Sequence, residues 1–255
     1  MQSVATFHAP VVRDVFSYGR SGTQFLPVSG HVTDRLFVTY RADARRLLPL
    51  VPPPFTLDVH QGFGFVSVCA VEILGMGILG TPRCLRFDNR EFLYRLAVRL
   101  QGESTFVTLR SDVSSPVLAV LGRYFSHYRP HLAKVRLSRQ GALFRLESAT
   151  DEGPGDAVLE VDTRQAATAH TSVFADHTEA TEFLLGMKFS ADAHRGRARV
   201  QPIEHGPWQP HFVDARRARF AFVESLERRL GTSFEYDGTL AAQNIPQTWS
   251  AARWA

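Results

Sequence analysis

Sulfur and lysine are scarce in this sequence. Its two cysteines, Cys69 and Cys84, are too few for a disulfide framework or a cysteine zinc site. Lysine occurs only at Lys134 and Lys188, so nearly all the positive charge is arginine, and any amine chemistry is bounded to those two side chains. No apolar run approaches the roughly 20 residues needed to span a bilayer. Met1 to Val12 lacks the basic start and apolar core of a secretory signal, so the expected location is cytoplasmic and no membrane partner is expected. There is no Gly-x-Ser-x-Gly elbow, phosphate-binding loop or dinucleotide fingerprint. Gly62-Phe63-Gly64-Phe65 comes nearest, but lacks the third glycine and a following helix. The net charge of +4 is modest, the arginines are scattered in short clusters, and no zinc finger or RNP motif accompanies them. Nucleic acid is therefore not the expected partner.

What is present is an ordinary balance of apolar and charged residues over 255 positions, enough to bury a substantial core. In His31 to Arg41, Val32, Leu36, Val38 and Tyr40 share a parity, which predicts a strand. Asp43 is placed to cap a short helix through Leu48, which Pro52-Pro53-Pro54 ends. Gly62 to Leu74 reads as a long strand, followed by a flexible loop at Gly75, Gly77, Gly80 and Pro82. Glu91 to Leu100 gives the cleanest alternation: Phe92, Tyr94, Leu96, Val98 and Leu100 on one face, Glu91, Arg95 and Arg99 on the other.

Further strands are expected at 105–110, 134–139, 142–148, 157–164 and 196–203, with a hairpin-like turn at Asp151 to Asp156. Short helices are expected over Ser115 to Tyr124, packed through Leu118, Val120 and Leu121, and over Thr178 to Leu185, opened by Asp176 or Thr178 and closed by Gly186. The longest helix is expected from Val213 to Leu230, and the tail with Trp249 and Trp254 is expected to dock on the body. Residues 1–29 read as an irregular lead-in. The whole is one domain of α+β class, dominated by antiparallel sheet.

The stretch with most chemistry is Gly122 to Lys134, Gly-Arg-Tyr-Phe-Ser-His-Tyr-Arg-Pro-His-Leu-Ala-Lys. Its pattern of Gly-Arg, aromatics, Pro and Leu-Ala resembles the active-site segment of the acetoacetate decarboxylase superfamily. The strand ending Val-Thr-Tyr-Arg-Ala-Asp at Asp43, with Leu-Leu and Pro-Pro-Pro-Phe after it, resembles the start of the same proteins. Phe63 to Gly80, Glu91 to Arg95, Glu204-His205-Gly206-Pro207-Trp208 and the tryptophan-bearing C-terminus are similar to the bacterial YqjF-like branch.

The resemblance implies a cone-like closed antiparallel β-barrel with peripheral sheet and helices and a ligand pocket inside. In the decarboxylases a lysine forms a Schiff base with a keto acid beside two glutamates and an arginine. The lysine position falls on Pro130, next to His131. One glutamate corresponds to Glu91; the other falls near Cys69, with Glu72 the nearest carboxylate; the arginine falls near Thr33. Imine chemistry through those positions is thereby put in doubt. Lys134 shares strand parity with Pro130 and stays open as an imine-former, against the alternative of a solvated lysine at a strand end.

The residues themselves support two kinds of role. Glu91 and Arg95, four apart on a strand and so about 13 Å apart on one face, suit a pocket that orients a carboxylate or carbonyl ligand; a solvated outer face is the alternative. His127, Tyr128, Arg129 and His131 combine a general acid/base, a phenol and an anion clamp; a structural role bonded to loop backbone is the alternative. Pro130 prevents a helical zinc pair of His127 and His131, and no third ligand stands near, so neither metal nor cofactor is expected. His205 to Trp208 is expected to form a packing corner.

The reading is a small-molecule enzyme acting by acid/base lyase, isomerase or cyclase chemistry without the Schiff-base lysine. Glu91, His127 and Tyr128 are its catalytic candidates, and Arg95, Arg129, His131, Thr33 and Glu72 its substrate-binding ones. The alternative is a non-catalytic barrel that binds a small ligand. Either is compatible with a homo-oligomer.

Overall fold

Alternating side chains along extended segments dominate the chain, and the computed structural model, which describes residues 26–125, 129–164, 172–186 and 188–255, is built mainly of strands. In chain order these are β1 (Val28–Asp43), β2 (Thr56–Leu57), β3 (Val59–His60), β4 (Phe63–Ile78), β5 (Phe87–Leu100), β6 (Glu103–Val113), β7 (Pro130–Leu132) and β8 (Lys134–Gln140). There follow β9 (Leu143–Ala149), β10 (Ala157–Asp162), β11 (Phe189–His194), β12 (Arg197–His205), β13 (His211–Phe212), β14 (Asp214–Phe220), β15 (Glu235–Trp249) and β16 (Arg253–Trp254). The helices are α1 (Ala44–Leu47), α2 (Pro116–Phe125), α3 (His177–Leu185) and α4 (Ala221–Leu230).

The main sheet runs β13-β15-β1-β4-β5-β6-β11-β12-β16, with β2 on β5, β3 on β4 and β7 on β6. Only β6–β11 and β6–β7 are parallel among these pairs. β12 also pairs with β15, from Ile203–Trp249 to His205–Gln247. β14, β10, β9 and β8 form a second, four-stranded antiparallel sheet.

The strand period sorts the main sheet into two faces. Phe92, Tyr94, Leu96 and Val98 of β5 join Leu36 and Val38 of β1 and Val66 and Val68 of β4 in one cluster. Leu146 and Leu159 of the second sheet and Phe220, Val223 and Leu226 of α4 pack against them. Each such side chain contributes about 1.5–3 kcal/mol on burial. The opposite face carries Phe37, Cys69, Val71 and Leu93, covered in part by Phe174, by Leu184 of α3 and by Phe212. These are called below the Tyr94 face and the Glu91 face.

Local signals placed several elements well. The Asp43 carboxylate accepts the Arg45 amide at 2.8 Å at the start of α1. Asp176 does the same for Glu179 at 2.9 Å, opening α3, which Gly186 closes. The 151–156 turn joins β9 to β10, which pair from Ser148–Ala157 inward.

Elsewhere tertiary pairing overrode the pattern. The expected helix from Val213 to Leu230 is a strand followed by a shorter helix. Asp214–Phe220 pairs with β10, and only Ala221–Leu230 is helical. The helix-favouring alanines and arginines there extend because Ala157–Asp162 offers a ladder for their backbone. The tail is more than a docked segment. β15 lies within the main sheet between β1 and β12, although its sequence is polar for a strand. The expected loop at Gly75 and Gly77 is still strand; a register shift between Ile73 and Met76, with Gly75 at φ +58°, lets the ladder continue to Ile78. On α2, Val120 and Leu121 are exposed rather than packed, while Ala119 is buried. The lead-in falls outside the described residues up to 25, and Val28 and Ser29 already belong to β1.

Candidate functional site

The Glu91 face is set by register. Arg35 on β1 stands opposite Val71 on β4, which stands opposite Glu91 on β5. Arg35 and Glu91 therefore share one face, two strand spacings or about 10 Å apart. Arg95 follows four residues along β5, opposite Ser67 and Thr108. Cys69 lies on β4 between these rows, opposite Phe37 and Leu93.

Glu91 is buried and held at both oxygens. Ser111 Oγ donates to Oε1 at 2.6 Å, and Asn89 Nδ2 donates to Oε2 at 3.3 Å. Asn89 Oδ1 in turn accepts the Ser115 amide at 3.2 Å, just before α2, so the carboxylate is tied to the entry of that helix.

Arg35 is 7% exposed, yet the hydrogen bond found for its guanidinium is to a neutral amide: Nη2 donates to Gln247 Oε1 at 2.6 Å. Its Nε is buried with no partner among the described residues. Burial pushes its pKa down to about 10, and Cys69, Arg95 and Glu91 are the titratable groups it feels. A guanidinium still carries its charge at neutral pH under those conditions, but at a desolvation cost. The Trp208 ring lies 5.6 Å from it and the Phe37 ring 5.8 Å. The corner from His205 to Trp208 therefore reaches the site as well as packing.

Arg95 is half-buried and has no hydrogen-bond or ion-pair partner among the described residues. Across the strand pair from it, the Ser67 hydroxyl is also buried without a partner. A cleft of about 860 Å³ opens near the start of β1, lined by Gly30, His31, Arg83, Arg86, His205 and Gln247 among others. Gln247 thus belongs both to the cleft and to Arg35.

The remaining sequence candidates divide. Pro130 pairs with Ser111 across β7 and β6, one strand spacing from the hydroxyl that holds Glu91. His131 pairs with Asp112, and consecutive residues alternate, so it lies on the Tyr94 face. There His131 Nδ1 is 3.0 Å from Glu152 Oε2, to which Arg129 also donates at 3.3 Å. Arg110 grips Asp112 at 2.9 Å and donates to the Glu152 carbonyl at 2.7 Å. Burial, opposed by Arg110, pushes the Asp112 pKa up to about 6. Burial and Arg110 lower that of His131, against the pull of Glu152. Arg129 and His131 are therefore not brought to Glu91.

Nor are Thr33 and Glu72. A register shift between Val32 and Asp34 puts Thr33 out of step, so it lies with Glu72 although it shares sequence parity with Arg35. Thr33 Oγ1 donates to Glu72 Oε2 at 2.8 Å, and Arg90 holds the other oxygen at 2.8 Å. The same shift sends Val32 to the Glu91-face cluster, away from Leu36 and Val38 with which its parity groups it. His127 and Tyr128 lie outside the described residues. Lys134 is exposed at the start of β8, beside Arg136 and Glu147, and Lys188 is exposed near Phe189 and Trp254.

Arg35, Ser111 and Gln247 were not marked by sequence reasoning. Parity to Leu36 does place Arg35 opposite the apolar face, but nothing local distinguishes it from Thr33. Ser111 and Gln247 take their meaning from strands 20 and 212 residues away.

The architecture matches solved proteins over nearly its whole length. Acetoacetate decarboxylase from Legionella pneumophila subsp. pneumophila str. Philadelphia 1 superposes with a TM-score of 0.59 at 13% identity, over 99% of this chain and 98% of that one. An acetoacetate decarboxylase-like enzyme from Sphingomonas wittichii RW1 gives 0.59 at 14% identity, over 89% and 92%. The enduracididine biosynthesis enzyme MppR, complexed with pyruvate, gives 0.57 at 14% identity, over 89% of each chain. At such identities the likeness shows the fold, which is of acetoacetate decarboxylase type. No curated protein matches the sequence. A family model does, over residues 31–241, and the chain belongs to that family, DUF2071, described as an uncharacterized conserved protein (COG2071).

Proposed function

We propose that this chain is a small-molecule enzyme acting on a carboxylate-bearing carbonyl compound by acid/base chemistry, without an imine. The observation that carries the reading is the excess of cations on the Glu91 face: a buried Arg35 hydrogen-bonded to an amide and a half-buried Arg95 with no partner among the described residues, on the same face as a fixed carboxylate. Pairing of β15 with both β1 and β12 supports a cone-like closed barrel. The second sheet occupies the Tyr94 face, which leaves the Glu91 face to line the inside.

In this reading the substrate carboxylate meets Arg35 and Arg95, whose planar forks suit two oxygens. Glu91, with its oxygens fixed by Ser111 and Asn89, takes a proton from the carbon next to the carbonyl or returns it there. His127 and Tyr128, two or three positions before Pro130 in sequence, are the proposed partners in proton movement. Pro130 beside Ser111 supports the absence of a lysine at the place where the resemblance puts one, and both lysines are exposed on other surfaces. Pyruvate, bound by MppR, which shares the fold, is the first compound to try.

The test is a panel of 2- and 3-oxo acids, with and without an aldehyde co-substrate, followed by proton NMR. Turnover of one member should fall by about 10²–10⁴-fold in Glu91→Gln while circular dichroism stays unchanged. Undiminished turnover in that variant would sink the assignment. Borohydride added with the active oxo acid should leave the intact mass unaltered; an adduct on Lys134 or Lys188 would restore imine chemistry.

A further inference from the structure

Gln247 lies where the cleft meets the Glu91 face. Its backbone is bracketed by Gly30 on β1 and His205 on β12, so the sheet fixes where its side chain starts. The side chain is buried and lines the 860 Å³ cleft, which gives it room to swing outward. Its Oε1 accepts from Arg35 Nη2 at 2.6 Å, while the neighbouring Nε is buried without a partner among the described residues. Nε and Nη2 form one edge of the guanidinium fork, the edge that a carboxylate engages with both oxygens. A single amide oxygen satisfies half of it.

We propose that Gln247 is a placeholder: its amide occupies the carboxylate subsite on the Nε–Nη2 edge of Arg35 and is displaced into the cleft by an incoming carboxylate. This rests on the reading of Arg35 as the anion-holding residue. Gln247 is then a positioning residue that sets anion affinity. It keeps a buried cation hydrogen-bonded between ligands without neutralising it, as a glutamate in its place would. The ligand class is a small organic carboxylate that arrives through the cleft and is preferred over its neutral amide.

Trp208, 5.6 Å from Arg35, supplies the readout. The full chain is titrated with pyruvate, and with pyruvamide as the uncharged control, by tryptophan fluorescence; Trp208→Phe checks the origin of the signal. Pyruvate should saturate the native protein and pyruvamide should not. Gln247→Glu, which supplies a built-in competitor, should weaken pyruvate by roughly tenfold or more, whereas Gln247→Met should bind it roughly two- to fivefold more tightly because no amide has to be displaced. A merely structural Gln247 would weaken both variants alike, and that result overturns the placeholder while native binding leaves the Arg35 reading standing. If neither the native chain nor Gln247→Met takes up pyruvate by calorimetry, both fall. Should Gln247→Met not fold, Gln247→Asn, one methylene too short to hold Arg35, serves the same comparison.

Discussion

Ser111 and Asp112 are neighbours on β6, and they look into two differently built clusters. On the Ser111 side a hydroxyl fixes Glu91, while Arg35 keeps a buried Nε without a partner and Arg95 has none among the described residues. On the Asp112 side Arg110 closes on its carboxylate at 2.9 and 2.7 Å, and Glu152 ties in His131 and Arg129. On that side the Tyr94 hydroxyl and Asp112 Oδ1 are buried without a hydrogen-bond partner among the described residues, although Arg110 Nη2 stands 2.7 Å from the latter as an ion pair. Both clusters are rich in charge, but on one side arginine meets carboxylate, whereas on the other Arg35 and Arg95 have no carboxylate bonded to them among the described residues. Desolvated charge with no partner is costly, and the proposed function has a substrate carboxylate meet that cost. Satisfied charge of the same composition is a strut. Arg110 reaches across to the Glu152 carbonyl and so pins the 151–156 turn to the main sheet.

The sharpest way to break this comparison is to remove one cation from each side. Arg110→Met strands the buried Asp112 and should lower unfolding free energy by about 3–5 kcal/mol in urea melts. Arg35→Met removes a charge with no carboxylate bonded to it, so stability should move by less than about 1 kcal/mol while pyruvate affinity falls on the order of 100-fold. Equal destabilisation by the two would erase the distinction between strut and site.

A smaller effect is expected from pH. Asp112 and Asp192 are both pushed up to about 6 by burial, opposed by Arg110 and Arg199 respectively. Each therefore binds its proton more tightly folded than unfolded. The stability this supplies is complete below the ordinary carboxylate pKa near 4 and lost as pH rises through 6. Unfolding free energy measured at pH 4.5 and 7.5 should show this fall, and Asp192→Asn should flatten the slope by about 1–2 kcal/mol. An unchanged slope would place the Asp192 proton elsewhere.

Much of the architecture was legible locally. The alternation in Glu91 to Leu100 gave a strand and its two faces; Asp43, Asp176 and Gly186 gave helix ends, and the structure places them there. Legibility ended where the partner was distant. Asp214 to Phe220 has helix-favouring residues and becomes a strand because β10 lies alongside. Glu235 to Trp249 is polar and still runs within the main sheet, because its backbone finds β1 on one side and β12 on the other.

The candidate site follows the same rule. Sequence by itself determined that a carboxylate at Glu91 and a guanidinium at Arg95 share one side of a strand, since a period of two needs no partner to hold. It also determined that only two lysines exist to supply an amine. Tertiary structure decided the rest. One register shift moved Thr33 away and left Arg35 facing the site, and one parallel strand pair set Pro130 beside Ser111 and turned His131 to the other face. A strand more than 200 residues downstream laid Gln247 against Arg35. The physical reason is that alternation fixes which residues share a face of one strand, whereas register, which fixes what stands across from them, is settled only when strands meet.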